Sequence, residues 1–233
     1  MSVKILLRKT SLVDYSGKVS SVFFFPVCNL RCPWCHNGDL ILGDEEGLVD
    51  LEEGLAHLAK RKKVLGGVVL SGGEPSLYEG LPCLIEEIKN IGLPVKLDTN
   101  GMNPAMLEKL FGREESRPDF IALDLKISPC RYGELGSLRE PGEMLIQSAA
   151  LIRQAGIDHE YRTLALPNGY IAGKDIEDLA PLTDTAPWRF RLFRGGSCLD
   201  PAWNTLEEPS QKAQALTKTL AETAVALGKS GIA

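Results

Sequence analysis

The 233-residue chain has no apolar run approaching the roughly 20 residues of a membrane span, so no spanning helix is expected. It is short of positive charge as well. With 26 Lys and Arg against 31 Asp and Glu, the formal net charge is -5, whereas backbone binding to nucleic acid needs clustered cations to displace counterions. The one basic run, Lys60-Arg61-Lys62-Lys63, closes a helical pattern from Asp50 to Lys63, where cations complement the negative end of the helix dipole. Low-complexity tracts, linkers and internal repeats are missing. The stretch Ile5-Leu6-Leu7 before Arg8-Lys9 is too short for a secretory signal, which makes the cytoplasm the expected compartment and disulfides among the six cysteines unexpected. One soluble domain spanning 1–233 is the default at this length, because α/β barrels routinely reach it without splitting.

What the chain does have is a concentration of thiols. Cys28, Cys32 and Cys35 follow the apolar segment Val22-Phe23-Phe24-Phe25 with the spacing C-x3-C-x2-C. Three thiolates are held close together and no fourth is supplied. Structural zinc wants four closed ligands, usually as two separated pairs. His36 could be the fourth, but it is adjacent to Cys35 and points away from it, and no second pair lies at finger or ribbon spacing. A dithiol redox motif at Cys32-Pro33-Trp34-Cys35 is another reading, and it leaves Cys28 unexplained. A four-iron cluster normally takes one cysteine per iron; here one iron would be left for something else.

Strand and helix signals alternate. Apolar or β-branched runs occur at Val19 to Phe25, Val68 to Leu70, Val95 to Leu97, Phe120 to Leu125, Glu160 to Leu166 and Arg189 to Phe193. Between them helical spacing appears at Leu51 to Leu58, Leu81 to Ile91, Met144 to Ile152 and Leu179 to Leu182, with Gly92 and Gly156 placed as C-terminal caps. A last helix is expected over about 211–228, after an N-terminal extension 1–18. Near-continuous apolar strands imply a parallel sheet covered by helices, open or curling toward a barrel, with ligands at the carboxyl ends of the strands.

Those ends carry polar signals that each have a plain structural reading. Ser71-Gly72-Gly73-Glu74-Pro75 is by itself a tight turn into a helix. Asp98-Thr99-Asn100-Gly101 reads as a turn with an Asx cap, and Asp124-Leu125-Lys126 as an ion pair at a strand end. Arg162 lies on the fifth strand and could be a surface or structural residue; His36 could be an exposed one. His57 and His159 have no motif around them, and Cys83, Cys130 and Cys198 read as packing residues.

Taken together, these segments resemble the radical S-adenosylmethionine (SAM) enzymes, whose cluster loop has the C-x3-C-x2-C spacing with an aromatic residue before the last cysteine. The resemblance implies a partial (β/α)6 barrel with parallel strands, a [4Fe-4S] cluster on Cys28, Cys32 and Cys35, and SAM as chelator of the fourth iron. Gly72-Gly73-Glu74 is similar to the motif that receives the SAM amino group. Cys35-His36-Asn37, Asp98-Thr99-Asn100-Gly101, Asp124-Leu125-Lys126 and Arg162 resemble segments of the glycyl-radical-enzyme activases. By that likeness His36, Asp98, Asn100, Lys126 and Arg162 line the SAM site, and Asp98, Thr99 and Asp124 surround a monovalent cation.

Lys9 to Val19 and Phe193-Arg194-Gly195-Gly196-Ser197 resemble the activating proteins of anaerobic ribonucleoside-triphosphate reductase, with Ser16 where proline is expected and Gly38 where proline or arginine is common. The implied reaction is reductive cleavage of SAM to a 5'-deoxyadenosyl radical, which takes a hydrogen from a backbone glycine of a partner enzyme such as that reductase. A flavodoxin or ferredoxin-like donor would supply the electron. Two other readings are a radical SAM enzyme for a small molecule, a peptide or a tRNA base, and a non-enzymatic metal or iron-sulfur protein.

Overall fold

The computed structural model describes residues 3–136, 138–206 and 210–232, arranged as two compact units. The first comprises Met1–Asn29, Asp39–Thr99 and Ala105–Ile121, and the second Leu30–Gly38, Asn100–Pro104 and Ala122–Ala233.

In the first unit, β1 (Lys4–Ser11) runs antiparallel to β2 (Ser20–Phe25), with Leu6 opposite Phe24. A short helix α1 (Gly38–Leu42) and β3 (Leu48–Asp50), antiparallel to β1, lead into α2 (Leu51–Arg61). β4 (Gly67–Gly72), α3 (Leu81–Ile91), β5 (Val95–Thr99), α4 (Pro104–Phe111) and the start of β6 (Phe120–Asp124) follow. The strand order is β3-β1-β2-β4-β5, and β2, β4 and β5 are parallel. Five of the six β2 residues are buried, as expected of an interior strand covered on both faces.

Helix α3 occupies the expected residues. It buries Leu81, Leu84, Ile85 and Ile88 and ends at Gly92, whose φ of 96° places it in the left-handed region. The basic run is a helix end here. Lys60 and Arg61 lie in the last turn of α2, and Arg61 donates to the Thr10 hydroxyl at 3.0 Å.

The second unit takes β6 onward through α5 (Pro141–Ala155), β7 (Asp158–Ala165), α6 (Gly173–Leu179), β8 (Trp188–Leu192), α7 (Ser210–Ala226) and β9 (Gly231–Ile232). The order is β6-β7-β8-β9, with β8 parallel to both of its neighbours. Fully buried Tyr132, Tyr161 and Trp188 anchor this core.

The six expected strand segments appear as β2, β4, β5, β6, β7 and β8, with β2, β4 and β5 parallel in the first unit and β7 and β8 parallel in the second. Several elements depart from expectation: α1, β3 and α4 form where none was expected, and α6 lies before Leu179 to Leu182. β1 forms inside the segment read only as an extension, β9 follows the last helix, and Ala180–Leu182 is a 3-10 turn rather than helix. Five of the eight β1 residues are exposed, so its alternation is blurred, and pairing with β2 and β3 decides its conformation.

Candidate functional site

In the first unit the polar signals lie at or just beyond the ends of β2, β4 and β5. Half-buried Cys28 follows β2. At the end of β4, Gly72 has φ of 106°, and a Cβ on it would collide with the backbone of Phe24 and Phe25. A Cβ on Gly73 would collide with the Val27 carbonyl, whose neighbouring peptides the turn is sewn to: Gly73 N–H donates to Phe25 O and Glu74 N–H to Val27 O, both at 2.7 Å. The two glycines therefore let the β4 turn pack directly on the start of the cysteine loop.

Glu74 is 1% exposed. Its Oε1 accepts from the Thr99 hydroxyl at 2.8 Å and from Ser76 N–H at 3.1 Å, so the carboxylate ties the β4 turn to the end of β5. Asp98 accepts from the Ser71 hydroxyl at 3.1 Å and pairs with Lys96 at 3.2 Å. Lys96 is a residue the sequence reading passed over. It is buried, on the same strand face as Asp98, and its ammonium also donates to Asp14 O at 2.8 Å. The available signal was the alternation Lys96-Leu97-Asp98, which puts two opposite charges on one face of a strand.

In the second unit, Cys32 is buried and Cys35 half-buried, joined by a turn in which Cys35 N–H donates to Cys32 O at 3.0 Å. The outward carbonyls of this turn are also satisfied. Leu199 N–H donates to Cys35 O and Asp200 N–H to Pro33 O, both at 2.9 Å, so the segment after β8 acts as a strap across the cysteine turn. The strap is held in turn by Asn204, whose Oδ1 accepts from Cys198 N–H at 2.6 Å. Beneath it, Trp34 packs against Trp203 at 5.4 Å and edge-on to Tyr170 at 5.1 Å, while Phe193 meets Trp203 at 5.7 Å and stacks on exposed His36 at 6.0 Å. Sequence spacing could not show this aromatic cluster, because Trp34 and His36 meet rings that follow them by more than 130 positions. Burial raises the Cys198 thiol, with the nearby Cys35 adding to the effect.

At the end of β6, Asp124 Oδ1 accepts from Arg162 Nε of β7 at 2.7 Å and the Lys126 ammonium lies 3.5 Å from Oδ2. Burial works against ionisation of Asp124, but Arg162, Lys126 and Arg191 outweigh it and hold the carboxyl at about 2. Tyr132 clamps the same strand end, accepting from Lys126 N–H at 2.9 Å and donating to Asp124 O at 3.4 Å. Buried Asn100 accepts from Met102 N–H at 2.8 Å, the Asx turn expected there.

None of the six cysteines is in a disulfide. Cys83 and Cys130 are exposed, contrary to the packing role expected of them; of the three cysteines outside the loop, Cys198 alone is buried. His57 and His159 serve structure, bonding the Lys9 carbonyl and Asp184 respectively. Among the described residues no three His, Cys, Asp or Glu side chains gather around a point that would suit a single metal ion. A four-iron cluster makes a different demand, since each thiolate binds a separate iron, and three unbridged thiols on one short loop are the donor set it takes. A monovalent cation there would share the Asp98 oxygens with Lys96 and the Asp124 oxygens with Lys126 and Arg162, while the Thr99 hydroxyl is engaged with Glu74.

The family model described as "Radical SAM superfamily" matches residues 22–179, more than half of the chain. A protein named as a glycyl-radical enzyme activating enzyme in Methanocaldococcus jannaschii is 30% identical over 207 residues, 86% of this chain and 84% of that one. The 7-carboxy-7-deazaguanine synthase of Neisseria meningitidis is 37% identical over 78 residues, 34% of each chain. Among solved structures, Streptococcus suis SuiB bound to S-adenosylmethionine aligns with a TM-score of 0.60 and 15% identity over 86% of this chain and 46% of that one, a likeness of fold. The parallel strands, the thiol loop and these matches lead to one conclusion: the chain belongs to the radical SAM superfamily, whose enzymes work with a [4Fe-4S] cluster and S-adenosylmethionine.

Proposed function

We propose that the protein activates a glycyl radical enzyme, with an anaerobic ribonucleotide reductase as its first candidate partner, a flavodoxin or ferredoxin-like protein as electron donor, and the cytoplasm as its compartment. The observation that carries this reading is the likeness to the Methanocaldococcus jannaschii protein over most of both chains. No helix among the described residues is long and apolar enough to cross a membrane.

In this reading Cys28, Cys32 and Cys35 hold the cluster as thiolates. The strap through Leu199 and Asp200 fixes the turn between two of them, and Trp34, Trp203 and Phe193 keep water from its underside. When bound, cluster and SAM supply a one-electron cleavage of the sulfonium, yielding a carbon radical that can take a hydrogen atom. The chain supplies position and charge. Gly72 and Gly73 bring backbone close to the SAM amino group, with Glu74 and Thr99 keeping that turn in place. Lys126 and Arg162 attract the SAM carboxylate, and Asp124 orients both by pairing with them. Asp98, Asn100 and His36 complete the walls.

The test is anaerobic reconstitution with dithionite and SAM. Wild-type protein is expected to bind about four irons and form 5'-deoxyadenosine, and Cys32→Ala to lose both. Electron paramagnetic resonance of a co-incubated anaerobic reductase should then show a glycyl doublet. Deoxyadenosine without a doublet on any candidate glycyl radical enzyme would favour a small-molecule substrate, the reading suggested by the shorter likeness to the deazaguanine synthase. No deoxyadenosine at all would sink the enzymatic reading.

A further inference from the structure

The end of β2 and β4 that faces away from Cys28 carries a surface that the SAM site leaves unused. There the hairpin between β1 and β2 exposes two consecutive aliphatic side chains, Leu12 at 74% and Val13 at 77%, and the loop from α2 to β4 exposes Val64 at 61%. That loop lies against the hairpin. Gly66 N–H donates to Val19 O at 2.7 Å, as Arg61 does to the Thr10 hydroxyl at 3.0 Å. Apolar residues scattered singly need no explanation, whereas adjacent ones rimmed by polar residues mark an interaction site. The tip is also held rigidly. Val13 and Asp14 N–H donate to the Ser11 hydroxyl at 3.2 and 3.3 Å, the buried Lys96 ammonium holds Asp14 O at 2.8 Å, and buried Tyr15 packs against Phe120 with ring centroids 6.1 Å apart. Little ordering cost is left for the moment of binding.

Around the aliphatic residues stand Lys9, Lys18 and the run Lys60-Arg61-Lys62-Lys63 that closes α2. Carboxylates at this end are fewer. Asp14 pairs with Arg8 at 3.4 Å, Asp119 accepts from Val95 N–H at 2.7 Å, and Glu114 and Glu115 share their loop with Arg113 and Arg117. A positive surplus therefore remains, in a chain of net charge -5. Composition then selects among anionic partners. Protein interfaces draw their binding energy from Trp, Tyr and Arg, with Leu and Val under-represented and Lys depleted. Protruding aliphatic side chains rimmed by lysines are instead the combination that holds a peripheral protein on an anionic bilayer, where either signal alone is too weak.

We propose that this end of the first unit seats on an anionic phospholipid bilayer, with Leu12 and Val13 entering the headgroup layer and the surrounding cations meeting lipid phosphates. The cytoplasmic leaflet presents such a surface to a protein of that compartment, whatever its substrate.

The experiment is sedimentation of the iron- and SAM-loaded protein with sucrose-filled vesicles, made of phosphatidylcholine alone or of phosphatidylcholine and phosphatidylglycerol in equal parts. Wild-type protein is expected to partition about tenfold or more strongly onto the anionic vesicles, and less so in added salt. Leu12→Ser with Val13→Ser should lower that partitioning about tenfold. Lys62→Gln with Lys63→Gln should lower it about twentyfold, each cation near the surface being worth about fivefold, and Lys62→Arg with Lys63→Arg should retain it. All four positions are exposed, so the variants are expected to fold, which melting temperature and iron content check. No preference of the wild type for anionic vesicles, or a preference that survives the Leu12 and Val13 substitutions, would overturn the proposal. So would binding of fluorescein-labelled poly-L-glutamate without binding to vesicles, which would assign the surface to an acidic protein.

Discussion

At the scale of single residues, the polar positions at the strand ends differ in how their partners define them. Asp124 is the sharpest case. Three cations hold its carboxyl at about 2, below the ordinary 3.8, against the cost of burial. A carboxyl with a depressed folded pKa contributes stability that is fully present above its unfolded pKa and is lost as the pH falls through the folded value. For Asp124 that loss runs from about pH 4 toward pH 2. The side chain is 30% exposed, so the contribution is about 1–2 kcal/mol after solvent screening. Asp124→Asn is expected to lower stability by that amount at neutral pH and to flatten the acid side of the profile, as read from urea midpoints between pH 2 and 6. Glu74 makes a complementary point. Its motif suggested a supporting residue or a direct acceptor for the SAM amino group, and its carboxylate is engaged with Thr99 and Ser76, bracing the turn that carries the glycines.

Secondary-structure elements are joined by close backbone approach in the first unit and by aromatic packing in the second. The β4 turn has no room for a side chain at position 73, and the obstructing atom is a main-chain carbonyl that no rotamer change can move. Gly73→Ala should therefore cost about 2 kcal/mol or more and weaken SAM binding, measurable by denaturant midpoint and by equilibrium dialysis. The aromatic cluster under the cysteine turn works differently, through contact area. Trp203→Ala removes the ring that touches Trp34, Tyr170 and Phe193, with an expected loss of about 3 kcal/mol. Iron should leave the loaded variant faster in the presence of a chelator, because the strap over Cys35 loses its support. Unchanged iron release would show that the strap does not depend on this packing.

Across the whole molecule, most buried apolar residues of both units lie on strands and helices that contain no cluster cysteine. Ile5, Phe23, Leu70, Leu97, Ile121, Tyr161 and Trp188 are among them, whereas the thiol loop adds Leu30, Cys32 and Trp34. A chain of this length buries enough surface to fold without metal, unlike small domains in which metal binding is folding. Removing iron with a chelator is thus expected to leave the far-ultraviolet circular dichroism unchanged and to lower the melting temperature by only a few degrees. A collapse of the helical signal on chelation would contradict this.

Much of the α/β pattern was legible because local rules and tertiary packing agree. Helix α3 has apolar residues at helical spacing and a glycine where the helix must stop, and β2 is a hydrophobic run that suits an interior parallel strand. The cysteine spacing, the paired glycines and the Asp124-Leu125-Lys126 alternation were legible for the same reason, since each is a short-range pattern. The rest depended on partners far away in the chain. β1 is a strand because β2 and β3 lie beside it, Lys96 matters because Asp14 and Asp98 face it, and the strap reaches the cysteine turn from more than 160 positions away. The sequence by itself determined the chemistry of the donor set, because thiol identity and spacing are local properties. Which charges neutralise one another was decided only by the tertiary structure, because Coulomb interactions depend on distance in space and not along the chain.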